Sequence, residues 1–193
     1  SLYEGVELPD KGPIGLITYM RTDSLRIAPE AVLSSRKYIE KILGKEYLPD
    51  KPNEHSDKSN TQDGHEAIRA TDPFITPISI KNILTQEQYN LYQLIWSRFV
   101  ASQTADAVLS RSTILCKSGE YDLKQTGIVT LFDGWGKLYP LGIKTSNIEP
   151  AEKGDVLEIT RINKEQKYTR PPARYLEAGL IKVLEEKGIG RPS

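Results

Sequence analysis

In GLITYMRTDS, residues 15–24, a tyrosine follows an apolar run and stands just ahead of an arginine and several hydroxyl side chains. A phenol with the ordinary pKa of about 10 is only about a thousandth ionised at pH 7, a deficit of roughly 4 kcal/mol for a nucleophile, so a tyrosine that attacks anything needs help. Arg21 is placed to give it. A guanidinium stays charged at any working pH and favours both a phenolate and a spread-out oxyanion. If the segment is extended, Tyr19 and Arg21 point to the same face. Thr18, Thr22 and Ser24 add hydroxyl donors suited to phosphate oxygens, and Asp23 can cap a turn or orient Arg21. An aromatic at the end of an apolar run is also what a half-buried packing residue looks like, so nucleophile and core tyrosine both remain open.

Two further clusters could bind phosphate. In DGHEAIRATDP, residues 63–73, a helical turn through HEAIR would put His65 and Arg69 four apart on one face, presenting two donors to one phosphate. The second histidine of a zinc-protease helix is missing, and a lone His beside a Glu is equally at home in a structural or solvated position. Near the C-terminus, Arg170 and Arg174 in TRPPARYLEAGL and Arg191 in GIGRPS, in stretches whose glycines permit close backbone approach, could touch a phosphate chain. Scattered arginines also serve simply as solvated surface. His55, in a charge-rich loop, carries no functional reading.

The elements that must position these groups follow from periodicity and punctuation. LRIAPEAVLSSRKYIEKILG, residues 25–44, reads as a helix with Pro29 in its first turn, Gly44 as its stop, and Val32, Tyr38, Ile39, Ile42 and Leu43 as one apolar stripe. A polar loop runs from Pro49 to Gly64. TQEQ at Thr85 is a capping box that opens a helix whose apolar positions Tyr89, Tyr92, Ile95, Trp96, Phe99 and Val100 recur at steps of three and four and carry on toward Val108. After Arg111 the chain becomes rich in Thr, Ile, Val and aromatics broken by SG, TG, DG and PLG, the texture of short strands with tight turns, and DVLEITRINKEQKYT continues it. YLEAGLIKVLEEKG is a returning helix closed by Gly188.

The elements expected therefore make an α+β chain: mainly helical over residues 1–111, a small antiparallel β module over 112–168 and a C-terminal helix within 169–193. The chain's 26 basic and 26 acidic side chains argue against a surface that grips polyanions everywhere, while leaving a local basic cleft possible. Cys116, the single cysteine, excludes an internal disulfide and a Cys-rich zinc site and reads as a small buried hydrophobe in a strand. No apolar run is long enough to span a bilayer and no signal peptide is visible, so a cytoplasmic location is expected. Both ends are abrupt, as expected of a stretch cut from something longer.

Four stretches taken in order carry a specific likeness. GLITYMRTDS, HEAIRATDP, LYQLIWSRFVASQ and PPARYLEAGLIKVLEEKGIGRPS together resemble the bacterial topoisomerase I branch of the type IA DNA topoisomerases, over nearly the entire chain. Met20 fits that branch better than the related topoisomerase III, whose segment usually has proline there. Ala70 departs from the family's usual proline. The resemblance implies that Tyr19 is the catalytic tyrosine, attacking single-stranded DNA and holding its 5′ phosphate while another strand passes, so that negative supercoils relax without ATP. It implies Arg21 and His65 as catalytic partners, and Arg21, Thr22, Ser24, Arg69, Arg174 and Arg191 as DNA-contact residues. It further implies Mg²⁺ in the full-length enzyme, held by an acidic cluster of a toprim domain whose ligands are not in this chain. By the same resemblance the chain would be multidomain, with residues 1–111 the helical domain of the active-site tyrosine, 112–168 part of the family's β gate and 169–193 the start of the DNA-binding core domain; the partners would be single-stranded and negatively supercoiled DNA with the remaining domains of the same enzyme, and the isolated chain would be inactive. The competing reading is a noncatalytic module for single-stranded nucleic acid, in which Tyr19 stacks on a base and Arg21 grips phosphate.

Overall fold

The capping box in TQEQ forms as its spacing requires. Thr85 Oγ1 accepts from the Gln88 N–H (3.2 Å) while Gln88 Oε1 accepts from the Thr85 N–H (3.0 Å). The structure, a computed structural model, describes residues 1–9, 11–22, 24–55 and 65–189; Asp23, Arg191 and residues 56–64 of the expected polar loop lie outside the described residues. Elements run in the order β1 (Val6–Leu8), β2 (Gly12–Ile14), α1 (Pro29–Tyr38), α2 (Gln86–Ser102), β3 (Val108–Ser118), β4 (Tyr121–Phe132) and α3 (Glu177–Glu186). Three α-helices and two antiparallel two-stranded sheets make the described residues an α+β chain, which divides into two compact units, Ser1–Asn147 and Ile148–Ser193.

In the first unit α2 is the organising element. Its face of Tyr92, Trp96, Phe99 and Val100 is buried with Leu16, Ile17, Tyr38, Ile39 and Ala70, and the Tyr38 ring meets Trp96 and Phe74 edge-on at 5.4 Å each. α2 stops at Ser102 rather than continuing to Val108. The Asn53 amide donates to the carbonyls of Ser102 (3.0 Å) and Thr104 (3.1 Å), satisfying the helix end and turning the chain toward β3.

α1 begins at Pro29 as expected, but it passes into a π-turn over Ile39–Leu43, in which the Gly44 N–H donates to Ile39 O five residues back. The wider turn breaks the expected stripe: Tyr38 and Ile39 are buried, Val32 and Leu43 partly so, and Ile42 faces solvent. Gly44, at φ +114°, ends it.

β3 and β4 form one long antiparallel ribbon, paired from Val108↔Phe132 to Ser118↔Tyr121 and turned at Gly119 (φ +60°), where SG predicts a turn. The first strand begins inside the stretch expected to be helical domain. Cys116 is half-buried on this ribbon rather than fully enclosed, because among the described residues no second layer covers it. At its base the Tyr47 hydroxyl donates to Asp133 Oδ1 (2.7 Å), the Tyr47 ring lies 4.9 Å from that of Phe132, and the Ala105 N–H donates to Tyr47 O. Gly134 (φ +49°) fits against the backbone of Asp106 and Ala107, where a Cβ would come within 2.5 Å.

The second unit differs from expectation in one respect. Residues 155–168 form no strand, since an alternating pattern needs a ladder partner and a face to bury, and among the described residues it has neither; Val156 is 97% exposed. α3 forms and stops at Gly188 (φ +69°), starting after Leu176 rather than at the prolines. No helix among the described residues is long and apolar enough to cross a membrane.

Candidate active site

Residues 15–18 run between two other segments. On one side the N–H groups of Leu16 and Ile17 donate to Leu2 O (2.7 and 3.4 Å), and the approach is so close that a Cβ on Gly15 would lie 2.6 Å from Tyr3 O. On the other side Ile17 bridges Ala70 in antiparallel fashion, with Thr18 N donating to Arg69 O and Thr71 N to Leu16 O, 3.0 Å each. This threading buries Leu16 and Ile17, leaves Thr18 half-buried and brings the chain to the surface at Tyr19 and Met20. Tyr19 is 39% exposed, so it is not a core aromatic.

Its ring stands 5.5 Å from Tyr3 and 5.6 Å from His65. A groove of about 490 Å³ is lined by its neighbours Tyr3 and Met20 with Ile17, Ile68, Leu91 and Ile95 among others, and Tyr19 itself does not line it. Arg21 is exposed, and no ion pair among the described residues engages it. The hydroxyls of Thr22 and Ser24 accept from the N–H groups of Ser24 (3.0 Å) and Arg26 (3.1 Å), closing successive turns; Ser24 is buried. Thr18, expected to offer its hydroxyl to phosphate, donates it instead to Ala67 O (2.7 Å).

HEAIR is not a helical turn. Residues 65–70 form an extended strap, because their backbone groups bond across to the Tyr19 segment instead of to one another. His65 and Arg69 are consequently not presented together. Arg69 is 9% exposed, with Nε and Nη2 on the two Glu66 carboxylate oxygens (3.0 and 2.9 Å), Nη1 on Ala70 O (3.0 Å), and its guanidinium 5.7 Å from the Phe99 ring centre. A buried fork-to-fork pair of this kind fixes backbone more than it offers charge to a ligand. Of the two, His65 is the one whose ring packs against the tyrosine.

Three residues that sequence reasoning passed over complete the arrangement. Tyr3 flanks the tyrosine, Arg26 Nη2 donates to His65 O (3.3 Å), and Glu66 Oε2 also accepts from Ala28 N–H (3.2 Å). Only the Glu66 to Arg69 spacing was visible in advance, as a charge pair three apart. Arg174 is exposed in the second unit, and Arg191 lies outside the described residues. Among the described residues no three His, Cys, Asp or Glu side chains gather into a set fit to hold a metal.

An exposed phenol beside an imidazole, followed two residues on by an exposed guanidinium, suits attack on an anionic ester. The comparisons agree in kind. Residues 1–193 match the model of a family described as DNA topoisomerase. The chain is 44% identical over 182 residues to DNA topoisomerase 1 of Salmonella typhimurium, which covers 93% of this chain and 21% of that protein. It is 41% identical to DNA topoisomerase 1 of Xylella fastidiosa, over 100% of this chain and 25% of that one. Full-length topoisomerase I from Thermotoga maritima matches in structure with a TM-score of 0.79 at 36% identity, over 99% of this chain and 30% of that chain. The chain thus spans about a fifth to a quarter of the length of these curated relatives.

Proposed function

The chain belongs to the DNA topoisomerase family, and we propose that it carries the strand-cleaving tyrosine of a type IA enzyme. The Tyr19 hydroxyl gives up its proton as its oxygen attacks phosphorus in a single-stranded DNA phosphodiester, the P–O3′ bond breaks, and the leaving 3′ oxygen takes up a proton in its place, while the 5′ phosphate stays esterified to the tyrosine. Attack by the same 3′ hydroxyl reverses the step. One phosphoester replaces another, so bond energy is kept and no ATP is required. Between the two steps a second strand passes, which relaxes negative supercoils.

The observation that carries this reading is the surfacing of Tyr19 just after buried Leu16 and Ile17, with His65 at its ring. Arg21 stabilises the phosphorane-like charge, and His65 hydrogen-bonds the phosphate as DNA enters. Thr22 and Ser24 shape the loop, and Arg174 and Arg191 are further phosphate contacts. Arg69, taken up by Glu66, supports the site from behind. Mg²⁺ would be held by residues of the longer polypeptide other than these, where it would supply positive charge beside the phosphodiester.

The test is a 3′-labelled single-stranded oligonucleotide incubated with the intact polypeptide that contains this sequence. A covalent adduct should map to Tyr19, and Tyr19→Phe should abolish it while leaving noncovalent binding largely intact. A normal adduct from that variant would place the nucleophile elsewhere, and binding without any adduct in the unmutated protein would favour the noncatalytic module.

A further inference from the structure

The loop that bears Tyr19, Arg21, Thr22 and Ser24 is closed at its neck by one residue. Thr18 Oγ1 donates to Ala67 O (2.7 Å), and Ala67 N–H donates to Arg26 O (2.7 Å), so both arms of the loop end on a single strap residue. The Thr18 hydroxyl also accepts from Arg69 N–H (2.9 Å), which uses its donor and an acceptor site within the protein. The strap is fixed in turn by Glu66, whose carboxylate receives Arg69 Nε and Nη2 and the Ala28 N–H at the entrance to α1. Thr18 is the peptide neighbour of Tyr19, and Glu66 is the peptide neighbour of His65. Any slackening at either position changes the relation of two rings 5.6 Å apart.

We propose that Thr18 and Glu66 are positioning residues for strand cleavage: neither touches DNA, and together they set where the Tyr19 phenol stands relative to His65. The inference rests on the reading of Tyr19 as nucleophile. Valine at 18 keeps the branched shape but leaves Ala67 O and Arg69 N–H without their partner, whereas serine keeps the hydroxyl. A displacement of about 1 Å at an attacking atom can cost on the order of 100-fold in rate.

The experiment compares Thr18→Val, Thr18→Ser, Glu66→Gln and Tyr19→Phe in the intact polypeptide, measuring single-turnover adduct formation on a 3′-labelled oligonucleotide and the Kd for the same oligonucleotide. Thr18→Val should slow adduct formation roughly 10- to 100-fold with Kd changed less than about twofold, and Thr18→Ser should recover most of the rate. Glu66→Gln should follow Thr18→Val; if it fails to fold, the Val and Ser pair decides. A readout independent of cleavage comes from the 193-residue chain, which has two histidines. Thr18→Val should shift the His65 ring-proton resonances by altering their exposure to the Tyr19 ring current, while those of His55 stay put. A normal adduct rate in Thr18→Val, equal impairment in Thr18→Ser, or an unmoved His65 signal would each overturn the inference. Loss of the adduct in Tyr19→Phe alone would leave the proposed function standing, whereas its survival there would remove both.

Discussion

Tyr92→Phe isolates how firmly α2 holds the end of the strap. Tyr92 is 0% exposed and its hydroxyl donates to Ile75 O at 2.6 Å, while Trp96 Nε1 donates to Pro73 O at 2.9 Å, so the helix pins the turn into which the strap runs. Removing the hydroxyl strands a buried carbonyl and should cost about 1–3 kcal/mol at pH 8, or roughly 3–9 °C in Tm for a chain of this size. The pH dependence is the sharper part. Burial, and secondarily the charge of Asp72, push the Tyr92 hydroxyl well above the ordinary tyrosine value. A folded pKa raised in this way gives stability that is fully present below the unfolded value near 10 and is lost as pH climbs toward the folded one. The loss is about 1.4 kcal/mol per pH unit above 10. Phenylalanine does not titrate, so the deficit of the variant should shrink above pH 10 and vanish about one to two units higher. Tyr38 and Tyr47 are also raised, but they are present in both proteins and cancel. Urea unfolding of the two proteins, followed by circular dichroism from pH 8 to 11.5, reads the gap directly. A gap that stays constant or widens would mean that the hydroxyl is not sealed in the fold, and the reasoning would fail.

Tyr47→Phe should loosen the base of the ribbon, accelerating hydrogen exchange at the Ala105 and Trp135 amides several-fold while α2 exchanges as before; unchanged exchange would show that ring packing alone holds the junction. The Asp133 carboxylate, by accepting the Tyr47 hydroxyl, raises that hydroxyl's pKa, so the contact should persist through neutral pH and fail only in alkali. The 193-residue chain by itself, with Mg²⁺, should not relax negatively supercoiled plasmid, and robust relaxation by the purified chain would refute that.

What could be read from the sequence was what the sequence encodes locally. The Thr85 box, the Gly44 and Gly188 stops and the turn at Gly119 each depend on neighbours within a few residues, and each formed. The emergence of Tyr19 was likewise foreshadowed by the change from GLI to polar residues. The strap was misread because its partners are remote: Thr18 lies 49 residues from Ala67, and the bonds they make override the helical spacing of HEAIR. Ile42 was misplaced by a single π-turn, and residues 155–168 by a strand-like composition that has no ladder partner among the described residues. Ala70 shows the same physics from the other side. The ladder around its bridge uses the N–H groups of Thr18 and Thr71, not its own, so the departure from proline neither adds nor removes a hydrogen bond of that ladder.

The β3–β4 ribbon also has a mechanical meaning. Eleven residues of strand extend about 37 Å, and this arm is rooted where one phenol meets one carboxylate beside a glycine with no room for a Cβ. A pivot of roughly 10° at that root sweeps the far tip through about 6 Å, so a sub-ångström adjustment beside Asp133 is multiplied many times over by the time it reaches Gly119.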